Sequence, residues 1–396
     1  MEVAITGVGA VTPLGIGAEV LHSRWCGCQV GIEDGVGACR DFEPADFLSR
    51  REIRSADRFA QLATVATGEA LANAGWSDDR PYPPERVGCV LATSVGGILT
   101  CIDQQERART KGYDMISPLA VVMQMPNAAA AMIAQRWGFH GECCAVVAAC
   151  ASGTLAFGTA RRLLFDETLD AVVVAASDAA ITPQVLAAFK IMGALSRSGV
   201  ARPFDRARDG FVVGEGAGAL VLERAGAASE RGATVLGEVA GFGASTDAYD
   251  VSAPEPSGTV AAQAITRSLA SAGIEPSEVD YVNCHGTASR HNDVAETHAL
   301  KAALGSAARE VPVSSTKSTI GHLMGAAGTV EAISTLLALR DRVAPPTLGL
   351  EEPDEGLDLN YVPGTPQPLR PDGPLVGISE SFGLGGHNAV VVLRVP

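Results

Sequence analysis

Apolar and polar residues alternate along the chain in two recurring patterns. Short uncharged runs rich in Val and Ala are separated by stretches with helical periodicity, such as residues 56–74, which end at Gly75. Near-continuous apolar strands are typical of sheets that helices cover on both faces, so the pattern predicts an α/β layered fold. The predicted strands are Val87–Thr93, Cys144–Ala149, Ala171–Ala176, Ala219–Leu222, Tyr281–Cys284, Val376–Ser379 and Ala389–Leu393.

Part of this pattern occurs twice. In both copies a helix ends at Gly, an acidic stretch follows, and an apolar strand comes next. The matching order predicts a duplicated chain with halves at residues 1–235 and 236–396, of which the first carries the larger insertion, around residues 104–124. The matching segments are residues 7–12 with 241–246, and residues 71–75 with 269–273.

Composition narrows the class of protein. Of the 396 residues, 47% are hydrophobic and 19% are charged, which indicates a large buried core and excludes a disordered chain. The formal net charge of −15 disfavours nucleic acid as a partner, since binding nucleic acid requires a basic surface. The first residues have the pattern of a strand rather than of a signal peptide. The sequence contains no apolar run of about 18 residues, so it predicts no membrane-spanning helix.

The nine cysteines predict free thiols in a reducing compartment, so we expect a cytoplasmic protein. Cys26 and Cys28 form one close pair, and Cys143 and Cys144 form another. Neither pair is followed by a second Cys or His pair at the spacing of a zinc site. We therefore expect no metal site.

Cys150 is the strongest candidate for chemistry. An apolar strand runs into a turn of small residues at Ala149-Cys150-Ala151-Ser152-Gly153, and a helical stretch follows over residues 155–165. A thiol at such a corner lies near a helix N-terminus, where the helix dipole and free N–H groups favour the thiolate. The position predicts a nucleophile with a lowered pKa.

Two histidines and a glycine loop provide groups that could act with this thiol. His285 follows a predicted strand, and His322 follows the polar turn that contains Lys317. The glycines of Gly383-Leu384-Gly385-Gly386 free the backbone N–H groups of that loop to approach a ligand closely. No helical pattern follows this loop, which argues against a dinucleotide-binding fold.

Seven motif segments occur along the chain in a characteristic order. In that order they resemble the elongating, type II β-ketoacyl-acyl-carrier-protein synthases of the thiolase superfamily, and the resemblance covers nearly the whole chain. It implies a thiolase-like fold of duplicated halves in five αβαβα layers. The segments are Thr6–Gly15; Ala149–Gly153; Arg202–Asp205; Arg208–Gly216; His285–Thr287 with Asn292, Asp293 and Glu296; Ser315–Ser318 with Gly321 and His322; and Ser381–Gly386.

The resemblance implies a decarboxylative Claisen condensation. Cys150 would hold an acyl group as a thioester, and His285 and His322 would donate to the malonyl thioester carbonyl as it becomes an enolate. The backbone N–H groups of Cys150 and Leu384 would form the oxyanion hole. Substrates would arrive on the phosphopantetheine of acyl carrier protein, and neither a metal nor a bound cofactor is needed.

Further residues take supporting roles by the same resemblance. Lys317 and Glu331 would form an ion pair that orients the His322 turn, although the residues alone also allow a solvated surface pair. The other implied roles are support of the His285 loop (Asp293, Glu296), pantetheine contacts (Thr287, Ser289), the acyl pocket (Phe189, Ile98, Met192, Phe382) and carrier-protein docking (Arg51, Arg54). Ordinary turn residues remain the alternative for Thr287 and Ser289, and a solvated helix start remains the alternative for the arginines.

Three positions depart from the family pattern. Ala149 replaces a common Thr, which we expect to be tolerated. Leu384 replaces the Phe that gates the acyl tunnel, so we expect a changed range of primers. Gly193 replaces a common Arg near the carrier-protein entrance, so we expect weaker docking there.

Fatty-acid elongation and type II polyketide or polyene synthesis both remain open for such a chain. The assembly could be a homodimer, or a heterodimer with a chain-length-factor homologue. An acyl-CoA thiolase is a more distant alternative, because that family uses a second cysteine as acid and base. A non-catalytic chain-length partner is disfavoured, because that class lacks the nucleophile that Cys150 provides.

Overall fold

Two five-stranded sections of one sheet carry the fold in the computed structural model, which describes residues 2–76 and 80–396. The strands are β1 (Val3–Thr12), β2 (Gly15–Ile16), β3 (Val87–Ala92), β4 (Cys143–Val146), β5 (Ala171–Asp178), β6 (Gly216–Arg224), β7 (Gly237–Thr246), β8 (Tyr281–Asn283), β9 (Val313–Ser314), β10 (Val343–Ala344), β11 (Gln367–Pro368), β12 (Leu375–Gly383) and β13 (His387–Val395).

The helices alternate with these strands. They are α1 (Ala18–Cys26), α2 (Arg50–Ser55), α3 (Arg58–Asn73), α4 (Ile98–Lys111), α5 (Ala120–Gln124), α6 (Ala128–Trp137), α7 (Ser152–Phe165), α8 (Pro183–Met192), α9 (Ala225–Glu230), α10 (Thr259–Ala272), α11 (Arg290–Leu304), α12 (Lys317–Ile320) and α13 (Ala327–Asp341). Short 3-10 turns occupy Pro44–Asp46, Pro84–Arg86, Tyr113–Met115, Pro276–Glu278, Gly305–Arg309 and Met324–Ala326.

The two sheet sections have the same strand order. The first runs β4-β3-β5-β6-β1 and the second runs β9-β8-β12-β13-β7, so each strand of one section has a counterpart in the other. The sections join where β1 and β7 pair briefly and antiparallel, at Ala4 with Glu238 and Ile5 with Gly237. This repeated order is the structural form of the duplicated pattern in the sequence.

Helices cover both sections and also fill the space between them. The helices α3 and α6 pack on the outer face of the first section, and α10 packs with α11 on the outer face of the second. The helices α7 and α13 contact each other and both sections, and every residue of α13 from Ala327 to Leu339 is buried. The layers therefore run αβαβα, which confirms the predicted fold class.

Every predicted strand falls on an observed one, with different ends. The strand predicted over Cys144–Ala149 is β4, which stops at Val146 because the chain then turns toward Cys150. The helix predicted over residues 56–74 begins at Arg58, because the Asp57 side chain caps it by accepting the N–H of Phe59. Among the described residues, none of the helices combines the length and the apolar character that crossing a membrane requires.

The two central helices approach each other at glycines. A Cβ on Gly328 of α13 would lie 2.1 Å from Oγ1 and 2.7 Å from the backbone N of Thr154 in α7. A Cβ on Gly153 of α7 would lie 2.7 Å from the backbone N of Thr329. Only glycine permits this spacing, so these two positions set how closely α7 and α13 pack.

We expect Gly328→Ala to lower the free energy of unfolding by about 1–3 kcal/mol, because the added methyl group overpacks the junction of the helices. The control is Gly226→Ala in α9, where an added Cβ meets nothing within 4 Å. That change should be neutral or stabilise by up to about 1 kcal/mol, through helix propensity alone. Urea unfolding followed by circular dichroism measures both, and equal stabilities would contradict the packing argument.

Candidate active site

Cys150 lies in the sharp turn between β4 and the start of α7. The turn is held by Ser152, whose hydroxyl accepts the N–H of Ala148 at 2.8 Å and donates to the carbonyl of Ala149 at 2.6 Å. Ala149 has a φ of 48°, a left-handed conformation that a small side chain tolerates best. The turn presents Cys150 two residues before the start of α7, in the central helix layer.

The second sheet section and the segment before α13 supply the two histidines. His285 follows β8 at the carboxyl end of that strand. His322 follows α12, and its backbone N–H donates to the carbonyl of Val212 at 2.7 Å. Both imidazoles are buried.

The thiol and the imidazoles form one cluster. His322 Nε2 lies 3.0 Å from Cys150 Sγ, and one ring nitrogen from each histidine lies within 4.8 Å of that sulfur and of the other ring. The two rings are almost perpendicular, with centroids 5.3 Å apart. Residues 150, 285 and 322, which the sequence predicts to act together, are therefore adjacent in space.

The surroundings keep both imidazoles neutral. Burial holds the pKa of His285 and of His322 well below its usual range, and the charge of Lys317 lowers each pKa further. The backbone N–H of Met324 donates to Nδ1 of His322 at 3.3 Å, so the ring proton of His322 is on Nε2 and points at Cys150. His322 is thus prepared to donate a hydrogen bond.

The predicted low pKa of Cys150 is wrong. Burial raises the pKa of this thiol to about 11, although the Lys317 charge and a hydrogen bond from the Leu384 N–H both act to lower it. The expectation considered only the favourable electrostatics of a helix start. The removal of water from the site, which disfavours the thiolate, outweighs that effect.

Lys317 and Glu331 form a buried ion pair and not a solvated one. The side chains of both residues are 2% exposed, and the ammonium donates directly to the Glu331 carboxylate. The pair joins α12, which leads into the His322 turn, to α13 of the central layer. It also places a positive charge close to both histidines.

The glycine loop closes over the sulfur. Leu384 lies between β12 and β13, and its backbone N–H donates to Cys150 Sγ. A Cβ on Gly383 would lie 3.1 Å from the backbone N of Cys150, which shows how closely the loop and the nucleophile turn approach. The loop thus brings the Leu384 N–H, one of the two predicted oxyanion-hole donors, to the residue whose own N–H is the other.

The two predicted supporting carboxylates have different contacts. Glu296 of α11 accepts the backbone N–H of His285 at 2.5 Å and that of Gly286 at 2.8 Å. Asp293 instead accepts the N–H of Phe204 at 2.8 Å and lies 3.6 Å from Arg208. Burial raises the pKa of Asp293 to about 6. Glu296 therefore holds the turn at His285 and Gly286, and Asp293 accepts the backbone N–H of Ala288 further along the same loop.

A cavity of about 660 Å³ opens in front of this cluster. Most of the predicted pantetheine and acyl-pocket residues line it, whereas Ile98 begins α4 and does not. Arg51 and Arg54 are exposed on α2 and are not on its rim. The cavity lining includes Gly193, where the sequence departs from the family pattern. The predicted site residues that also line it are Thr287, Ser289, Phe189, Met192, Phe382 and Leu384.

Residues 32–228 match the family described as "Beta-ketoacyl synthase, N-terminal domain", and residues 236–351 match "Beta-ketoacyl synthase, C-terminal domain". The chain belongs to the beta-ketoacyl synthase family. It is 39% identical to the 3-oxoacyl-acyl-carrier-protein synthase 2 of Synechocystis sp., over 99% of this chain and 98% of that protein. The enzyme of the same name from Coxiella burnetii is 35% identical, with equal coverage of each chain. This ketosynthase is therefore an acyltransferase-class enzyme.

Solved ketosynthase structures have the same fold. A beta-ketoacyl synthase from Burkholderia phymatum superposes with a TM-score of 0.91 at 29% identity, covering 100% of this chain and 99% of that one. The ishigamide ketosynthase/chain length factor superposes with a TM-score of 0.91 at 28% sequence identity, with the same coverage of the two chains. A type II polyketide synthase ketosynthase, solved in complex with its acyl-carrier protein, superposes with a TM-score of 0.89 at 27% identity and the same coverage.

The structure adds residues to the ketosynthase site that sequence reasoning missed. Phe211 packs its ring edge against His322, with centroids 5.4 Å apart. The buried carboxylate of Asp178 accepts the N–H of Gly325 at 2.6 Å, just after the His322 turn. Arg197 and Arg290 lie on the cavity rim. Phe211 lies within a recognised motif, whereas no local pattern marks Asp178 or the two rim arginines.

The raised pKa of Cys150 predicts slow alkylation near neutral pH. Because only the thiolate reacts, the rate of modification by iodoacetamide should rise about tenfold per unit between pH 7 and pH 9. Peptide mass mapping separates Cys150 from the exposed Cys28 and Cys101. A rate for Cys150 that levels off by pH 8 would contradict the effect of burial.

Proposed function

We propose that this ketosynthase joins an acyl group held on Cys150 to malonyl-acyl-carrier protein, giving 3-oxoacyl-acyl-carrier protein and CO2. The observation that carries the proposal is the cluster at the sulfur. His322 Nε2 lies 3.0 Å from Sγ, His285 lies beside it, and the Leu384 N–H points at the same atom. A nucleophile, two neutral N–H donors and a backbone donor meet at one end of the cavity.

In the first half-reaction Cys150 attacks the thioester of an acyl-carrier protein. The new carbon–sulfur bond replaces the bond to the pantetheine sulfur, and the thiol proton of Cys150 passes to that leaving sulfur. The oxyanion of the tetrahedral intermediate accepts the backbone N–H groups of Cys150 and Leu384. Donors of this kind each contribute about 2.7–4 kcal/mol of transition-state stabilisation.

In the second half-reaction malonyl-acyl-carrier protein loses CO2. The electron pair of the broken carbon–carbon bond forms an enolate, whose oxygen accepts N–H donation from His285 and His322. The enolate carbon then attacks the acyl group, and the Cys150 sulfur leaves as a thiolate that takes up one proton from solvent water. Imidazoles held neutral by burial donate without first carrying a charge into the buried site.

This chemistry requires neither a metal nor a bound redox cofactor. The phosphopantetheine of the carrier protein would bring each substrate, and Thr287 and Ser289, which line the cavity, would contact it. A thiolase reaction would need a second cysteine at the nucleophile. The Cys284 sulfur instead lies within 4.8 Å of carboxylate oxygens of Glu296 and Glu380, and Cys284 does not line the cavity.

The carrier protein would meet basic residues at the cavity rim. Arg197 and Arg290 are exposed there, on a chain whose net charge is −15. They are better placed than Arg51 and Arg54 to meet the phosphate of a prosthetic group that enters this cavity. The arginines of α2 remain available for the body of an acidic carrier protein.

An assembly with a second ketosynthase-like chain would cover an exposed apolar surface. Val121 and Val122 of α5 are 64% and 57% exposed, and Tyr113 is 83% exposed. The strand β4 forms one end of the sheet, and α6 contacts both β4 and α5. Open strand edges beside apolar side chains favour pairing with another chain.

We place this assembly, a homodimer or a heterodimer with a chain-length-factor homologue, in the cytoplasm, because all nine cysteines are free thiols.

Cys150→Ser should abolish acyl transfer from acyl-carrier protein, and His322→Ala should slow CO2 release from malonyl-carrier protein about 100-fold or more. Intact mass after incubation with acyl-carrier proteins of several chain lengths measures the acyl-enzyme, and labelled malonate measures CO2. An acyl label still attached to the Cys150→Ser enzyme would rule out the assigned nucleophile. Near-normal CO2 release by His322→Ala would rule out its donor role.

The Leu384 side chain lines the cavity next to the nucleophile, so it is positioned to affect which primers enter. Leu384→Phe should shift the range of accepted acyl chains, because a larger side chain narrows the cavity. The same intact-mass assay across a panel of primers measures the shift, with Leu384→Met as a control of similar volume. An unchanged chain-length profile in Leu384→Phe would rule out a role for residue 384 in selecting the primers that enter the cavity. This position also favours specialised polyketide or polyene synthesis slightly over fatty-acid elongation.

A further inference from the structure

Glu380 is a completely buried carboxyl group behind the active site. It lies in β12 between β13 and β8, on the same face of the strand as Ile378 and Phe382. That face packs against the outer helix layer, where the Glu296 side chain is also completely buried. The proposed reaction gives Glu380 no role.

Neither oxygen of Glu380 accepts a hydrogen bond from the described part of the chain. A buried carboxylate without donors or a neighbouring cation is strongly disfavoured, so such a group takes up a proton. Glu380 is therefore a neutral acid whose O–H needs an acceptor.

Glu296 is that acceptor. One carboxyl oxygen of Glu296 and one of Glu380 lie within 4.8 Å of each other and of Cys284 Sγ. Two buried carboxyl groups this close are strongly disfavoured as two anions, so one of them carries a proton that the other can accept. Glu296 also accepts the N–H groups of His285 and Gly286. A proton shared between Glu380 and Glu296 therefore helps to keep Glu296 where it can hold the His285 turn.

We propose that Glu380 is a positioning residue of this ketosynthase, a protonated carboxylic acid that donates to Glu296 and so holds the His285 turn in place. Losing this proton would set two negative charges against each other directly behind His285. Glu296 would then move away from Glu380, and the backbone of His285 and Gly286 that it holds would move with it. The enzyme would lose its second malonyl donor as the pH rises.

The charges around the pair do not compensate a second anion. Lys317 is occupied by Glu331, and Arg208 is shared between Asp293 and Asp354. The strand β13 contributes only Val390 opposite Glu380. The titratable or charged groups that contact or act on the pair are Cys284 and His285 after β8, Asp293 on α11, Lys317 on α12, and Tyr361.

The direction of the pH effect follows from these contacts. Burial and the Glu296 charge raise the pKa of Glu380 well above its usual value, so the folded chain keeps a proton that the unfolded chain loses. The unfolding free energy therefore falls as pH rises from the ordinary Glu range toward the folded-state pKa. Cys150, with a pKa of about 11, and the histidines, whose pKa values are well below the usual range, do not titrate in the neutral to mildly alkaline interval.

The test compares wild type with Glu380→Gln, whose amide donates to Glu296 but cannot ionise. Wild-type CO2 release from malonyl-carrier protein should fall with rising alkaline pH, approaching about tenfold per unit once the pair has lost its proton. Glu380→Gln should keep at least about half of the wild-type rate of CO2 release at pH 7. The decline of that rate at alkaline pH should begin at a pH about one unit or more higher than in wild type. Exposed Glu310→Gln is the control and should match the wild-type profile.

Melting temperature against pH provides a readout that needs no catalysis. The difference in melting temperature between Glu380→Gln and wild type should grow as pH rises from 6 to 9, whereas Glu310→Gln should follow wild type. Superimposed alkaline limbs together with parallel stability curves would overturn the proposal. If Glu380→Gln does not fold, Glu380→Asn provides a smaller amide, and the infrared band of a protonated carboxyl in wild type at pH 8 must then be absent from that variant.

This inference rests on the proposed function only through the CO2 assay. A wild-type enzyme that releases no CO2 from malonyl-carrier protein would contradict the proposed function, while the stability and infrared measurements would still decide the state of Glu380. A normal wild-type reaction whose alkaline limb is unchanged in Glu380→Gln would leave the function intact and reject the positioning role.

Discussion

The close contact between α7 and α13 is the constraint on which the rest of this structure depends. The nucleophile turn leads directly into α7, and the His322 turn leads directly into α13. Because the two helices approach at Gly153 and Gly328, their amino-terminal ends bring Cys150 and His322 into contact. Each sheet section covers one side of this pair, so the chemistry lies where two halves of one chain meet.

Placing the site in the central layer has an electrostatic consequence. Burial disfavours charge on every group there, so the imidazoles are neutral and Cys150 is a thiol in the resting enzyme. The buried charges beside the histidines, Lys317 and Glu331, are paired with each other. A site of this kind stabilises negative charge that forms during a reaction with N–H donors fixed in advance, rather than with ions.

The local pattern was a good guide to elements and to individual reactive residues. Apolar runs predicted the strands, and the strand-to-turn transitions at Cys150, His285 and Leu384 predicted where chemistry would lie. The pattern failed for the pKa of Cys150, because a helix start is visible in sequence while the depth of burial is not. It also missed Asp178 and Glu380, which lie in apolar strands and have partners more than 80 residues away along the chain.

The amino-acid sequence by itself determined the layered α/β class, its duplication, and the kinds of residue that could hold an acyl group and donate to an enolate. Those conclusions depend on short-range periodicity and on motif order, which a linear chain displays directly. Only the tertiary structure decided which groups meet, which carry a proton, and which predicted residues line the cavity. Distances between segments and exclusion of water arise only when the two halves pack together, and these two quantities govern the pKa of Cys150, the neutrality of the histidines and the support behind His285.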